Sequence, residues 1–92
     1  MEITLTNLGT KNKNILFLAN NNKRITLYFS YQTLIAFDYQ DEKIYEKQCS
    51  LNKWSNTTGR FINEIQPDKN KLEPNERVVK RAGYLMGEIF KD

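Results

Sequence analysis

The chain has 92 residues, a formal net charge of +3, no histidine and a single cysteine, Cys49. A domain this short buries only about 60% of the surface that its unfolded form exposes, so the core is thin and each aromatic counts. The composition removes the commonest general base, the commonest zinc ligand, any intrachain disulfide and any cysteine-based metal cluster.

The positive charge sits in the first third, where Lys11, Lys13, Lys23 and Arg24 face only Glu2; the rest balances to zero. A dedicated nucleic-acid binder usually shows a denser basic stripe. The longest apolar run, residues 15–19, is far short of a membrane span. The start, Met-Glu-Ile-Thr, lacks the pattern of a signal peptide, so the expected location is cytoplasmic.

Residues 2–6 alternate, with Ile3 and Leu5 on one face, and suit an edge strand. Residues 7–14 (NLGTKNKN) read as a loop, and residues 15–19, apolar on both faces, as an interior strand. Asn20-Asn21-Asn22-Lys23 makes a hairpin turn, because Asn tolerates left-handed backbone. From Arg24 the alternation is clean, with Ile25, Leu27 and Phe29 on one face and Thr26, Tyr28 and Ser30 on the other. The same parity runs on through Tyr31, Thr33, Ile35, Phe37 and Tyr39, too long for one strand. A turn or bulge near Tyr31-Gln32 is therefore expected, with a further strand over 33–39. Gln40-Asp41-Glu42 is the next turn, and 43–49 a fifth strand with Ile44 on one face and Tyr45 and Cys49 on the other.

Residues 54–65, WSNTTGRFINEI, carry the only tryptophan and then an apolar helical repeat, Phe61, Ile62 and Ile65. The N-cap is expected at Ser55, Asn56, Thr57 or Thr58. Trp54 is expected as a buried keystone, with Thr57, Thr58 and Gly59 serving backbone geometry beneath it. Pro67 and residues 68–71 form an exit loop. Pro74 then suits the first position of a helix over 74–90. Val78, Val79, Ala82, Leu85, Met86, Ile89 and Phe90 share an arc of about 140° on that helix. Arg77, Lys80, Arg81, Tyr84, Glu88 and Lys91 hold the opposite arc. Gly83 and Gly87, each costing about 1 kcal/mol in a helix interior, suggest a close backbone approach to the sheet or to another copy.

The expected fold is a single α+β domain over 1–92. An antiparallel meander of four or five strands (1–50) is covered on one face by a short helix (55–65) and a longer C-terminal amphipathic helix (74–90).

No stretch spells out a reaction, and the chain reads as non-enzymatic, with no catalytic residue, cofactor or metal site expected. Asp38, Asp41, Glu42 and Glu46 gather around one turn, but without calcium-loop spacing they read as a solvated hairpin tip. Cys49 has no imidazole to activate it and reads as a small buried residue. Thr57-Thr58-Gly59-Arg60 at a helix start suits either capping or an anion. Aromatics with basic neighbours (Tyr28, Tyr31, Tyr39, Tyr45, Trp54) suit either core packing or stacked bases, Tyr28 standing apart because its parity follows Thr26 and Ser30. Arg77, Lys80, Arg81 and Lys91 make the outer face of the last helix basic.

Two segments, Leu27-Tyr28-Phe29-Ser30-Tyr31-Gln32-Thr33-Leu34-Ile35-Ala36-Phe37 and residues 54–65, resemble a family of small uncharacterised proteins encoded mainly by bacteriophages and prophages. The shared pattern is YFSY-x-T-x-h-A (h apolar), then W-S-x-T-T-G-x-h-x-N. The resemblance implies a phage-derived accessory protein in the bacterial cytoplasm that binds a host or phage protein, as an inhibitor among other modes. The expected contacts are Tyr28 on the sheet, Arg60 on the short helix, and Arg77, Lys80, Arg81 and Tyr84 on the last helix. The alternative is a nucleic-acid module using Lys23, Arg24, Arg60, Arg77, Lys80 and Arg81 on phosphates. A monomer and a homodimer through the Gly83/Gly87 flank are both compatible with the sequence.

Overall fold

The structure, a computed structural model, describes residues 1–10 and 12–91. Lys11, counted above in the basic first third, lies outside them. The elements are β1 (Glu2–Asn7), β2 (Lys13–Asn20), β3 (Lys23–Ser30), β4 (Thr33–Gln40), β5 (Tyr45–Ser50), α1 (Asn56–Ile65), β6 (Leu72–Glu73) and α2 (Asn75–Ile89). One sheet contains all the strands in chain order. Its first five strands form the expected antiparallel meander, and β6 adds a sixth, parallel to β5.

Asn21 (φ 51°) and Asn22 (φ 65°) both take left-handed backbone at the β2–β3 turn, the geometry that a two-residue hairpin needs. The β3–β4 turn falls at Tyr31-Gln32, with Tyr31 at φ 56°. A two-residue turn pairs odd residues with even ones, and Ser30 indeed faces Thr33 and Phe29 faces Leu34. Farther from the turn, the apolar residues that face α2 are nevertheless odd-numbered in both strands, Ile25 and Leu27 in β3 and Phe37 and Tyr39 in β4. The register shift beyond Phe29 reconciles the two: Tyr28 faces Ala36, Leu27 faces Phe37 and Ile25 faces Tyr39, which leaves Ile35 as an extra, bulged residue. Both a turn and a bulge are present.

Leu18, Ile25, Leu27, Phe37 and Tyr39 pack with Val78, Ala82, Leu85 and Ile89 of α2 in one core. Ile35, Ala36 and Cys49 pack with Phe61 and Ile62 of α1 in another. Because neighbouring strand residues point to opposite faces, Ala36 and Phe37 place the helices on opposite sides of the sheet. The expectation that both cover one face is corrected. α2 lies along β3, β4 and β5 and also touches β2, whereas α1 rests on β4 and β5.

α2 begins one residue later than expected, with extended Pro74 as its cap residue. Asn75 Nδ2 donates to the Leu34 carbonyl at 3.0 Å. At the other end Asn20 Nδ2 donates to the Ile89 carbonyl and Lys23 Nζ to that of Glu88, satisfying carbonyls that a helix end leaves open. Val79 and Phe90, expected in the core arc, are exposed; the arc is wider than the contact with the sheet. Gly83 and Gly87 have open space where a Cβ would stand, so neither marks a close approach to the sheet.

The expected role of Trp54 is also corrected, since the residue is 38% exposed. It precedes the helix and lies outside its buried face. The residue that holds α1 down is Thr58, whose hydroxyl lies 2.7 Å from Ser30 Oγ at the end of β3, both buried. Ser55 is the N-cap: its Oγ accepts the Thr58 N–H and donates to Thr58 Oγ1. Asn52 closes over Gly59, where a Cβ would stand 2.7 Å from Asn52 Nδ2. That amide donates to the Ser55 carbonyl while its Oδ1 accepts the Trp54 N–H. Thr57 is exposed. Within the segment from Thr57 to Arg60, Thr58 and Gly59 thus serve the packing and capping of the helix start, whereas Thr57 and Arg60 are exposed.

Removing one partner of a buried hydroxyl pair leaves the other unsatisfied, at a cost of about 1–3 kcal/mol. Thr58→Val and Ser30→Ala are each expected to destabilise by that amount in urea titrations. The double variant should lose clearly less than their sum, and strict additivity would show that the two hydroxyls do not interact.

Candidate functional site

Helical spacing puts Arg77, Lys80, Arg81 and Tyr84 along the α2 flank that overlooks β5. From β5, Glu46 and Gln48 point up on the same sheet face, opposite in parity to Cys49. Arg81 grips Glu46 with two hydrogen bonds, Nε to Oε2 at 2.7 Å and Nη2 to Oε1 at 2.8 Å. This bidentate geometry is the specific one for guanidinium and carboxylate. Its guanidinium carbon stands 5.1 Å from the Tyr84 ring centroid, within cation–π range. Arg77 pairs with Glu73 at 2.9 Å, one helical turn back. Lys80 is exposed and has no carboxylate partner among the described residues.

Gln48, Arg77, Lys80, Arg81 and Tyr84 line a shallow recess of about 310 Å³. Gln48 Oε1 is buried there without a hydrogen-bond partner, while its amide nitrogen is turned to Glu46 at 3.5 Å. Tyr84, 60% exposed, stands as an aromatic plate one helical turn beyond Lys80, on the same recess. An exposed aromatic with neighbouring cations suits a carboxylate-bearing protein surface, because the ring supplies contact area and the cations supply sign.

The structure brings four of the six expected contact residues together here. Tyr28 and Arg60 lie elsewhere. Tyr28 is on the opposite sheet face, its hydroxyl donating to Asp38 Oδ2 at 2.7 Å while the Tyr45 hydroxyl donates to Asp38 Oδ1 at 3.0 Å. Burial, then the bond to Asp38, raises the Tyr28 pKa, so it remains a protonated donor. Arg60 is exposed on α1. Glu46, expected at a solvated hairpin tip, instead belongs to the α2 flank, and Gln48, with no motif to mark it, joins it there through β5 parity.

The acidic turn is dispersed among separate partners. Asp38 holds the two tyrosines, Glu46 holds Arg81, Glu42 accepts from Asn22, and Asp41 accepts the Lys43 and Ile44 amides. A larger hollow, about 860 Å³, opens between the Asn21-Asn22 turn and Asp41-Glu42. Its polar wall is bonded to itself, with Arg24 Nη2 donating to Gln40 Oε1 and Asn22 to Glu42.

Fold and flank together describe a small α+β protein with a cationic, aromatic helix face. The chain belongs to a family of unknown function, DUF8033, which matches residues 3–80. No curated protein and no solved structure matches it. The match reaches well beyond the segments between residues 27 and 65 that carry the motifs, taking in β1, β2 and the first part of α2. Among the described residues no helix is long and apolar enough to cross a membrane.

Burial pushes the Cys49 thiol up to about 11. It also pushes the Tyr39 phenol, whose hydroxyl donates to Asp41, up to about 12. Both groups hold their protons more tightly when folded. Their contribution is therefore complete below the unfolded values of 9.0 and 10.0 and is lost as pH rises through the folded ones. Stability is expected to fall between pH 9 and 12, with Tyr39→Phe flattening the upper part. Native Cys49 should alkylate at pH 8 at least about a hundredfold more slowly than in denaturant. Equal rates would contradict its burial.

Proposed function

We propose that this protein is a non-enzymatic accessory protein of phage or prophage origin, acting in the bacterial cytoplasm. It binds an acidic surface of a host or phage protein and blocks that surface. The observation that carries the reading is the α2–β5 flank: exposed Tyr84 and Lys80, the latter without a carboxylate partner among the described residues, on a helix face fixed by the Arg81–Glu46 fork. Binding residues presented by a rigid helix lose little freedom on association. The motif pattern in residues 27–37 and 54–65 supports the phage origin.

The cations needed for a phosphate-gripping surface are largely occupied, which favours a protein ligand over nucleic acid. Arg77, Arg81 and Lys91 each hold a carboxylate, Lys13 holds Glu64, and Lys47 donates to the Ile65 carbonyl. Arg60 sits across the sheet from the α2 cations.

Immobilised protein is expected to retain one specific partner from a lysate of the bacterial host, with modest salt sensitivity. Lys80→Glu and Tyr84→Ala should each weaken that binding by about tenfold or more, and Tyr28→Phe should leave it unchanged. A partner indifferent to both α2 variants, or no partner, would contradict the reading. So would retardation of DNA or RNA in a low-salt gel that falls steeply with added salt, the signature of phosphate contacts.

A further inference from the structure

The two edges of the sheet are built differently. At one edge, β6 is two residues long and ends at Pro74, so it offers little to pair with. At the other, β1 is six residues, EITLTN, and every one of them is exposed. Its inner edge pairs with β2 along its whole length, and its outer N–H and C=O groups face away from the sheet. Its one charge, Glu2, stands at the first position, and no lysine, arginine, proline or bulge, devices by which proteins blunt an open edge, interrupts it.

The side chains of β1 divide cleanly. Ile3 and Leu5 face the α2 side, where they lie opposite Leu18 and Leu16 and stand 63% and 70% exposed. Thr4, Thr6 and Glu2 face the other side. α2 lies mainly along β3, β4 and β5 and touches β2 at its margin, and it leaves Ile3 and Leu5 exposed. The Arg81–Glu46 pair turns its basic flank toward β5, which leaves Val79, Met86 and Phe90 on the flank toward β2.

We propose that β1 is a homodimer edge, pairing antiparallel with β1 of a second copy about a two-fold axis through Thr4. This goes beyond the α2 reading and does not depend on it. Pairing about a two-fold axis perpendicular to the sheet puts residues of equal parity opposite each other. Only a centre at Thr4 sets Ile3 against Leu5 twice, giving four apolar side chains in a row on one face. The other face then shows Thr4 against Thr4 and Glu2 against Thr6, with the two Glu2 carboxylates at opposite ends. The strand is thus complementary to itself in both pattern and charge. The two α2 helices, each set back over β3–β5, leave the junction unobstructed, and the product is one continuous sheet.

Sedimentation of the full chain at several concentrations is expected to show a monomer–dimer equilibrium. Leu5→Lys puts a charge on an exposed position without touching the core. It should weaken the dimer at least about tenfold while leaving the circular dichroism unchanged. Thr4→Cys should give a disulfide-linked dimer on mild oxidation, since directly opposed antiparallel residues lie within disulfide reach. Thr6→Cys, which would face Glu2, should not. A strictly monomeric wild type, a dimer unmoved by Leu5→Lys, or crosslinking as efficient at Thr6→Cys as at Thr4→Cys would each overturn the proposal. Tyr84→Ala should leave the dimer intact, which separates this edge from the α2 flank.

Discussion

A single extra residue in β4 sets how this sheet is filled. The hairpin at Tyr31-Gln32 forces odd residues of β3 against even residues of β4, yet beyond Phe29 and Leu34 the α2 core is filled from odd positions in both strands, Ile25, Leu27, Phe37 and Tyr39. Without a bulge, Leu27 would face Ala36, and the side chains of Phe37 and Tyr39 would leave the α2 core. The bulge at Ile35 restores agreement, so that Leu27 faces Phe37 and Ile25 faces Tyr39. It also delivers two consecutive apolar residues, Ile35 and Ala36, to the opposite core. A bulge interrupts the ladder locally and bends the strand; here the return is one core on each side.

The second core is what gives α1 a place to sit. Ser30 ends β3 just before the turn, and its hydroxyl meets Thr58 in the first turn of α1. The two halves of the sequence motif, YFSY and WS-x-TTG, are therefore in direct physical contact, one supplying Ser30 and the other Thr58 and the Ser55 cap. With α1 held on its own face, α2 has the other face to itself. Its inner arc is buried, its β5 flank is fixed by Glu46, and its outer residues Lys80 and Tyr84 remain available to a partner. The fold thereby separates the groups that stabilise from the groups that can recognise.

Much of this was legible in the chain. The alternation through residues 24–39, the Asn turn and both helices follow from period and punctuation, and the grouping of Arg77, Lys80, Arg81 and Tyr84 on one flank of α2 follows from helical spacing. What escaped depended on tertiary pairing. β6 has only two residues, and no periodicity can be read over two residues. The placement of the helices on opposite faces turns on one bulged residue that no Gly or Pro marks. Trp54 looked like a core anchor by size, but its position before the N-cap keeps it outside the buried face. Glu46 and Gln48 belong to the α2 flank through β5 parity, a signal that was present and passed over because the acids around the turn read as one group. Arg77 and Lys91 find local partners at i−4 and i−3, but Arg81 is paired only once β5 and the helix are brought together.

The strand register across the bulge is the most direct test of this account. In nuclear Overhauser spectra of labelled protein, cross-strand contacts should join Leu27 to Phe37 and Ile25 to Tyr39 on the α2 side. Phe29 should be joined to Leu34 across the hairpin end, with Ile35 directly opposite no single residue of β3. Contacts pairing Leu27 with Ala36 and Tyr28 with Ile35 would mean an unbulged hairpin, and neither core could then be assembled as described.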